Sequence, residues 1–461
     1  MEKLFNPKSV VLIGASNKKG SVGFGIAKNL LYGKSQRQVF FVNPNTKKVL
    51  RQKTFGSVLE IKEKIDLAII AVPAKLVGKI SLECHQANVG CCIIISSGFS
   101  ETGKEGEKLQ KEVALIFKKN NIPLVGPNCL GVISPGFKLN ASFAPATPKP
   151  GSIAFLSQSG ALIDSVIDKS LLENFGFSFL VSFGNEAGLT LSDFLQMAEQ
   201  DSNTKVIVAY VEEIKNGKEF IEIASRVAKT KPIVVLKGGK TQEGKKAVQS
   251  HTASLAGNEK IYSAAFKKAK VIEVETIEDL FLVSQALSIY NNPVIPDHQG
   301  DTECAGGWGI LTNGGAVGVI TADWCSKLGV RLAEIPKQVF EEIEKSQKVS
   351  PSFSRNNPLD IIGDATSEGY KVALMAMLKS EKIKGVIFCQ TLQTMTNSKE
   401  NAKIIIEAQK QFLEKPILPL FLGGEKTKKG IDFLLKNNFL FFKEPRDIAL
   451  CAKFLTKDLP F

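Results

Sequence analysis

The chain has 461 residues, 44% hydrophobic and 23% charged, which places it among ordinary globular proteins with room for two to four domains. No apolar run reaches the roughly 18 residues of a membrane span. The opening MEKLFNPKSVVLIGAS lacks the apolar core and small-residue cleavage site of a signal peptide. Eight scattered cysteines form no CxxC pair, which argues against a zinc site and fits a reducing cytoplasm. The formal charge of +13 gathers in the first 130 residues, where 20 Lys+Arg face 9 Asp+Glu. With two Trp, five Tyr and no basic run longer than two, this is a poor nucleic-acid surface. A small polyanion such as a nucleotide or coenzyme A fits better, beside the plainer reading of a solubilising lysine surface.

Short β-branched runs alternate with amphipathic stretches, the pattern of βαβ units and parallel sheets. In residues 1–133, SVVLIGAS, QVFFVNPN, IDLAIIAVPA, GCCIIISSGFS and IPLVGPNCLGVI read as strands of a Rossmann-type sheet, with helices through VGFGIAKNLLYG and GEKLQKEVALIFKKN. The Pro-, Ser- and Gly-rich stretch 134–151 reads as a linker. In residues 151–290, GSIAFLSQSGAL, FSFLVSFGNEAG, KVIVAYVEEI, KPIVVLKGGK and AKVIEVET read as strands of a flavodoxin-like domain, with helices through TLSDFLQMAEQ and KEFIEIASRVAK. Residues 291–307 read as a second linker. Residues 308–461 repeat the scheme, with strands GWGILTNGG, GVIFCQTLQ, KPILPLFLGG and NFLFFKEP.

Ligands of open α/β sheets bind at the carboxyl ends of strands. IGASNKKGSVGFG follows a strand and precedes a helix, so its backbone amides can face a phosphate. Its spacing is not GxGxxG, and the next strand ends at Asn43-Pro44 where a NAD site needs an acid for the ribose. A turn serving packing alone is the competing reading. AVPA, SSGFSETG and GPNCLG end the following strands and complete a crevice. LSQSGAL is a strand, a small-residue turn and a helix start, which reads either as an anion site or as an N-cap without ligand.

His251 is one of three histidines. Asn258 onward reads as an amphipathic helix with Ile261, Ala265, Phe266 and Ala269 on one face, which leaves His251 in a loop before a helix N-terminus. An inert loop histidine and a chemical one are both open at this point. His85 reads as a structural residue of a helix face and His298 as solvated linker, so no cluster for metal forms. There is no GxSxG and no Walker A loop. Glu212, ending the strand KVIVAYVEE, is a candidate partner that would fix one tautomer and leave the other ring nitrogen nucleophilic.

Taken together, VNPN, AVPA, SSGFSETG, GPNCLGVISP, LSQSGAL, SFGNEAG, KGGKTQEGKKAVQSHTASLAG, TNGGAVGVITAD and NPLDIIGDAT resemble the α subunit of the ADP-forming acyl-CoA synthetases, of the succinyl-CoA synthetase superfamily. The resemblance implies a CoA-binding first domain and two succinyl-CoA-synthetase-like domains. It places the phosphorylated histidine on His251, its stabilising glutamate on Glu212, and the phosphate-binding turn on Ser157, Gln158, Ser159, Gly160 and Ala161. A second helix N-terminus near Ala256 to Glu259 would face that turn. CoA contacts fall on Gly14, Ala15, Ser16, Gly23, Asn43, Pro44, Val72, Pro73, Ser96, Ser97, Gly98, Asn128 and Cys129. The implied reaction converts acyl-CoA, phosphate and ADP to acid, CoA and ATP through an acyl phosphate and a phosphohistidine, with acetate as the default acid. No ATP-grasp lobe is found in this sequence, so ADP/ATP and Mg2+ would be held by a separate ATP-grasp β subunit, in an α2β2 assembly. The chain departs from the family at Ala253, Glu213 and Lys240, where glycine, glycine and arginine are usual. Two competing readings are a CoA-binding regulatory protein that no longer uses its histidine, and a NAD-dependent dehydrogenase.

Overall fold

The computed structural model describes residues 2–248, 259–290 and 306–455, and residues 249–252 by backbone alone. The chain divides into two compact units, Met1–Leu280 and Phe281–Phe461.

In the first unit, one sheet comprises β1 (Ser9–Ile13), β2 (Gln38–Val42), β3 (Lys48–Val49), β4 (Gln52–Phe55), β5 (Leu67–Ile70), β6 (Cys91–Ile94) and β7 (Leu124–Val125), in the order β3-β4-β2-β1-β5-β6-β7. All neighbours are parallel except β3 and β4. Without the short β3 this is the doubly wound order 3-2-1-4-5-6, which reverses direction between β1 and β5. Every residue of β1, β5 and β6 is buried. Their continuous Val, Ile, Leu and Cys runs are what a parallel sheet covered on both faces requires.

The second sheet comprises β8 (Gly131–Ser134), β9 (Leu139–Ser142), β10 (Lys149–Ser157), β11 (Gly176–Ser182), β12 (Val206–Val211), β13 (Ile233–Lys237) and β14 (Ile272–Val274). The order is β14-β13-β12-β10-β11-β8-β9. Its five parallel strands follow the flavodoxin-like order 2-1-3-4-5, with the reversal between β10 and β12. Side chains of both sheets join one buried cluster, from Val10 and Ile69 to Leu156 and Ile207.

Three sequence expectations need correction in this unit. IPLVGPNCLGVI is not one strand: it divides into β7, in the first sheet, and β8, antiparallel to β11 in the second. Residues 134–151 are not a linker, because they hold β9 and the start of β10. Leu139 and Ala141 are fully buried there, and the polar residues are satisfied by one another. Asn140 Nδ2 donates to Thr147 Oγ1 at 2.8 Å, and Asn29 Nδ2 on the Val22–Tyr32 helix donates to the carbonyls of Ser142 and Ala144 at 2.8 and 2.9 Å. The Glu259–Lys268 helix turns Tyr262 and Phe266 inward, while Ile261, expected on that face, is 68% exposed.

In the second unit β15 (Gly307–Thr312), β16 (Leu359–Asp360), β17 (Ile383–Gln390) and β18 (Ile417–Phe421) form a parallel sheet in the order β16-β15-β17-β18. NFLFFKEP, expected as a further strand, makes a single parallel bridge from Phe442 to Leu420. The chain enters the Pro445–Leu455 helix directly after it, which leaves no length for a ladder. Of the expected second linker, residues 291–305 lie outside the described residues. Among the described residues no helix is long and apolar enough to cross a membrane.

Candidate functional site

The direction reversals of the first two sheets open onto one cavity of about 710 Å³. From the first sheet it is lined by Gly14, Ser16 and Gly23 after β1, by Val72 and Pro73 after β5, and by Ser96 and Ser97 after β6. Asn128 and Cys129 continue the wall, and Gln158, Ser159, Gly160 and Ala161 close it from the end of β10. Sequence loops separated by more than 140 residues thus share one space.

The close approach of these loops has a steric basis. Gly14 has φ of +101°, and a Cβ there would be driven into the carbonyl oxygen of Ala71. A Cβ on Gly23 would meet the carbonyl oxygen of Gly14, so the Val22–Tyr32 helix can start beside the β1 turn only with glycine.

Three helix N-termini border the cavity. Ser21 caps the Val22–Tyr32 helix, accepting from Phe24 N–H at 3.3 Å. Pro73 precedes the Ala74–Gln86 helix. Ser159 caps the Gly160–Glu173 helix, accepting from Leu162 N–H at 3.3 Å. First-turn amides lack intrahelical acceptors, and each helix start carries about half a positive charge. The wall itself includes no lysine or arginine among the described residues. The positive potential of this wall comes from backbone, not from the lysine excess of the first third.

Of the remaining expected residues, Ala15, Asn43, Pro44, Gly98 and Ser157 support the wall without lining it, while Asn128 and Cys129 line it. Asn43 Nδ2 donates to the Ala15 carbonyl at 2.7 Å and its Oδ1 accepts from Asn45 N–H at 2.8 Å, which fixes the buried Ala15 and the Pro44 turn. Ser157 is fully buried and braces the turn at Gln158–Ala161, accepting from Ser159 N–H at 3.0 Å and donating to its carbonyl at 2.7 Å. Gly98, with φ of +101°, gives its N–H to Glu101 Oε1, and Glu101 Oε2 accepts from Asn185 Nδ2 at 2.6 Å. Asn128 Nδ2 donates to Asn185 Oδ1 at 3.1 Å, tying this loop to the second sheet. Burial pushes the Cys129 thiol up to about 12, so it is chemically quiet.

Glu212 stands one step behind the cavity. The Gln158 side chain lines the cavity and also bridges β10 to the end of β12. Its Oε1 accepts from the N–H groups of Glu212 and Glu213, and its Nε2 donates to the Glu213 carbonyl at 3.0 Å. Glu212 is buried. Its Oε1 accepts from Tyr210 Oη at 3.3 Å, and its Oε2 has no hydrogen-bond partner among the described residues. Lys237, buried at the end of β13, donates to the Glu212 carbonyl at 2.8 Å and to the Gly238 carbonyl. Its Nζ lies 4.5 Å from the centre of the Tyr262 ring. Burial lowers the Lys237 ammonium to about 8, against the pull of Glu212, and raises Tyr210 to about 12. Lys240, the residue that replaces an arginine, pairs with Glu273 at 2.8 Å and Glu275 at 3.1 Å.

His251 does not stand in a loop. Residues Gln242–Thr252 are helical, and His251 falls in the last turn. The helix starts just after Gly238-Gly239 and packs Val248 against Gly239. The His251 side chain and residues 253–258, with Ala253 and the expected helix start at 256–258, lie outside the described residues, as does His298. His85 is exposed on the Ala74–Gln86 helix rather than structural. The residues named from the sequence omit Ser21, Val22, Ala71, Ile95, Leu130, Phe143 and Asp164 of the wall. Ser21, Val22, Ala71 and Leu130 lie within loops already singled out, and Ile95 adjoins one. Phe143 was hidden by the linker reading, and Asp164 is legible only as the i+4 neighbour of Gly160.

Three family profiles match successive parts of the chain: a CoA binding domain over residues 8–135, a succinyl-CoA ligase like flavodoxin domain over 150–287, and a ligase-CoA domain over 309–454. Fold and profiles together define a CoA-binding ligase of the succinyl-CoA ligase type. The chain is 38% identical to the acetate–CoA ligase [ADP-forming] I subunit alpha of Pyrococcus furiosus, over 96% of this chain and 95% of that one. It is 40% identical to the acetate–CoA ligase [ADP-forming] I of Archaeoglobus fulgidus, covering 96% of this chain but 62% of that longer protein. A solved dinucleotide forming acetyl-coenzyme A synthetase 1 of Ca. Korarchaeum cryptofilum superposes with a TM-score of 0.91 at 34% identity, over 98% of this chain and 96% of that one. The chain belongs to the family of ADP-forming acetate–CoA ligase α subunits.

Proposed function

We propose that this chain is the α half of an ADP-forming acyl-CoA synthetase, interconverting acyl-CoA, phosphate and ADP with carboxylic acid, CoA and ATP. Acetate is the default acid. Residues 1–133 form the CoA domain, 151–290 the phosphohistidine domain and 308–461 the second flavodoxin-like domain. The observation that carries this reading is the single cavity joining the loops after β1, β5 and β6 to the turn Gln158–Ala161.

Phosphate at the start of the Gly160–Glu173 helix attacks the thioester carbonyl. The C–S bond breaks, CoA leaves as a thiolate that takes a proton, and an acyl phosphate remains. A ring nitrogen of His251 then attacks phosphorus, the bond to the acyl oxygen breaks, and the carboxylate departs. Glu212 Oε2, buried without a hydrogen-bond partner among the described residues, accepts the N–H of the other ring nitrogen. That orients the imidazole and favours its charged, phosphorylated form. Helix dipoles at the phosphate turn stabilise the transferring dianion. A terminal phosphate oxygen of ADP takes the phosphoryl group from the ring. ADP and Mg2+ would be held by an ATP-grasp β subunit in a cytoplasmic α2β2 assembly, where magnesium would neutralise phosphate charge.

The test is phosphoryl labelling. The chain with its β subunit, given acyl-CoA and labelled phosphate, is expected to carry acid-labile, alkali-stable label that His251→Asn abolishes together with ATP formation. Label that persists in His251→Asn, or ATP formation without any label, defeats the reading.

A further inference from the structure

Asp164 is the one carboxylate in the described wall of the cavity, whose other titratable side chain is the quiet Cys129 thiol. It lies on the Gly160–Glu173 helix, four residues after Gly160, and so one turn deeper on the same face. Its carboxyl group makes no hydrogen bond or ion pair among the described residues, and Oδ1 is buried without a partner. Burial raises its pKa. An acid beside three helix N-termini opposes the anion affinity of the rest of the wall. A buried carboxyl oxygen with no donor is also costly. Both penalties are relieved if a bound ligand places an uncharged hydrogen-bond donor there.

The proposed reaction, on which this inference rests, fixes what that part of the ligand is. The thioester carbonyl must sit at the phosphate turn, because phosphate attacks it. The sulfur is therefore beside Ser159–Ala161. The first amide nitrogen of the pantetheine arm follows it by three bonds, a span comparable to one helical turn of about 5 Å. We infer that Asp164 is a CoA-recognition residue, its carboxyl group accepting the first pantetheine amide N–H and so setting the thioester carbonyl against the phosphate turn.

Calorimetric titration of the full-length chain tests this with two ligands. Asp164→Ala is expected to weaken CoA about 10-fold, and Asp164→Asn, which keeps a carbonyl acceptor, less than about threefold. Adenosine 3′,5′-bisphosphate, which lacks the pantetheine arm, is expected to bind wild type and both variants alike, and this also controls for folding. Unchanged CoA affinity in Asp164→Ala overturns the assignment. So does an equal loss of the bisphosphate, which makes the residue structural, or an effect confined to the KM of hydroxylated acids, which assigns the carboxyl group to the acyl chain. Wild-type chain that binds no CoA defeats the proposed function itself, an outcome distinct from a variant that binds as wild type does.

Discussion

The ends of β1, β5 and β10 and the ends of β12 and β13 meet charge in opposite ways. The first group surrounds the cavity with glycine turns and helix starts and places no basic side chain in its described wall. The second buries a polar cluster of Glu212, Tyr210 and Lys237, the lysine donating to backbone carbonyls, with Gln158 as the bridge between the two. A ligand that enters and leaves is served by amides that are already fixed and cost no reorganisation. A charge that stays inside the protein needs dedicated partners, since a buried ion without them is strongly destabilising. The cavity should therefore fail through shape and the cluster through stability.

The largest expected effect follows from shape. Gly23→Val forces side-chain atoms toward the Gly14 carbonyl and pushes the Val22–Tyr32 helix off the β1 turn. Titration calorimetry should show CoA binding reduced at least about 100-fold, or about 2.7 kcal/mol, at the upper end of the roughly 1–3 kcal/mol of an overpacked site. Retention of wild-type affinity would break the claim that backbone proximity makes this wall.

Next is Lys237→Met, which leaves the carbonyls of Glu212 and Gly238 without their donor inside the protein. A loss of about 2 kcal/mol is expected in urea unfolding at pH 7. The pH dependence sharpens it. The Lys237 pKa is lowered from 10.5 to about 8, so between those values the unfolded chain binds more protons than the folded one. The stability of wild type relative to Lys237→Met should then rise as pH climbs from about 8 to 10.5, and be flat below. A relative stability that falls over this window would contradict a lysine held by burial.

How far the sequence reached differs between the same two regions. The strand-end loops were legible because parallel βαβ units confine ligands to carboxyl ends, so Gly14, Ser159 and the loops AVPA, SSGFSETG and GPNCLG stood out by position, while Val72, Ser96 and Asn128 were named through the family resemblance. The Rossmann-type and flavodoxin-like classes followed from the alternation of elements, whereas the orders of the strands are seen in the structure. What was not legible depends on contacts distant in sequence. The stretch KLNASFA reads as polar linker because its partners, Asn29 and Thr147, satisfy it only after folding. The run ending GVI carries no mark of changing sheets at Gly126–Gly131. Lys237 in KGGK shows nothing of the carbonyls it holds. His251 was placed in a loop because QEGKKAVQSHT has almost no apolar face, yet residues 242–252 are helical. One buried anchor, Val248 against Gly239, accompanies that helix where periodicity offers no signal.

The smallest effect separates backbone from side chain within the cavity itself. Ser159 does two things at once: its hydroxyl caps the Gly160–Glu173 helix, and it borders the space where phosphate is proposed to sit. Ser159→Ala removes the cap at a cost of about 1 kcal/mol, whereas Ser159→Gly costs only a few tenths because glycine is tolerated at that position. The alanine variant should lose about 2–4 °C in Tm and the glycine variant almost none. If anion binding comes from the first-turn amides and the helix dipole, the KM for phosphate should change less than about threefold in the glycine variant, since the N–H groups remain where the helix holds them. If both variants instead raise that KM about 10-fold or more, the hydroxyl is itself a phosphate ligand. The division between a cavity built from backbone and a cluster built from side chains would then end at this residue.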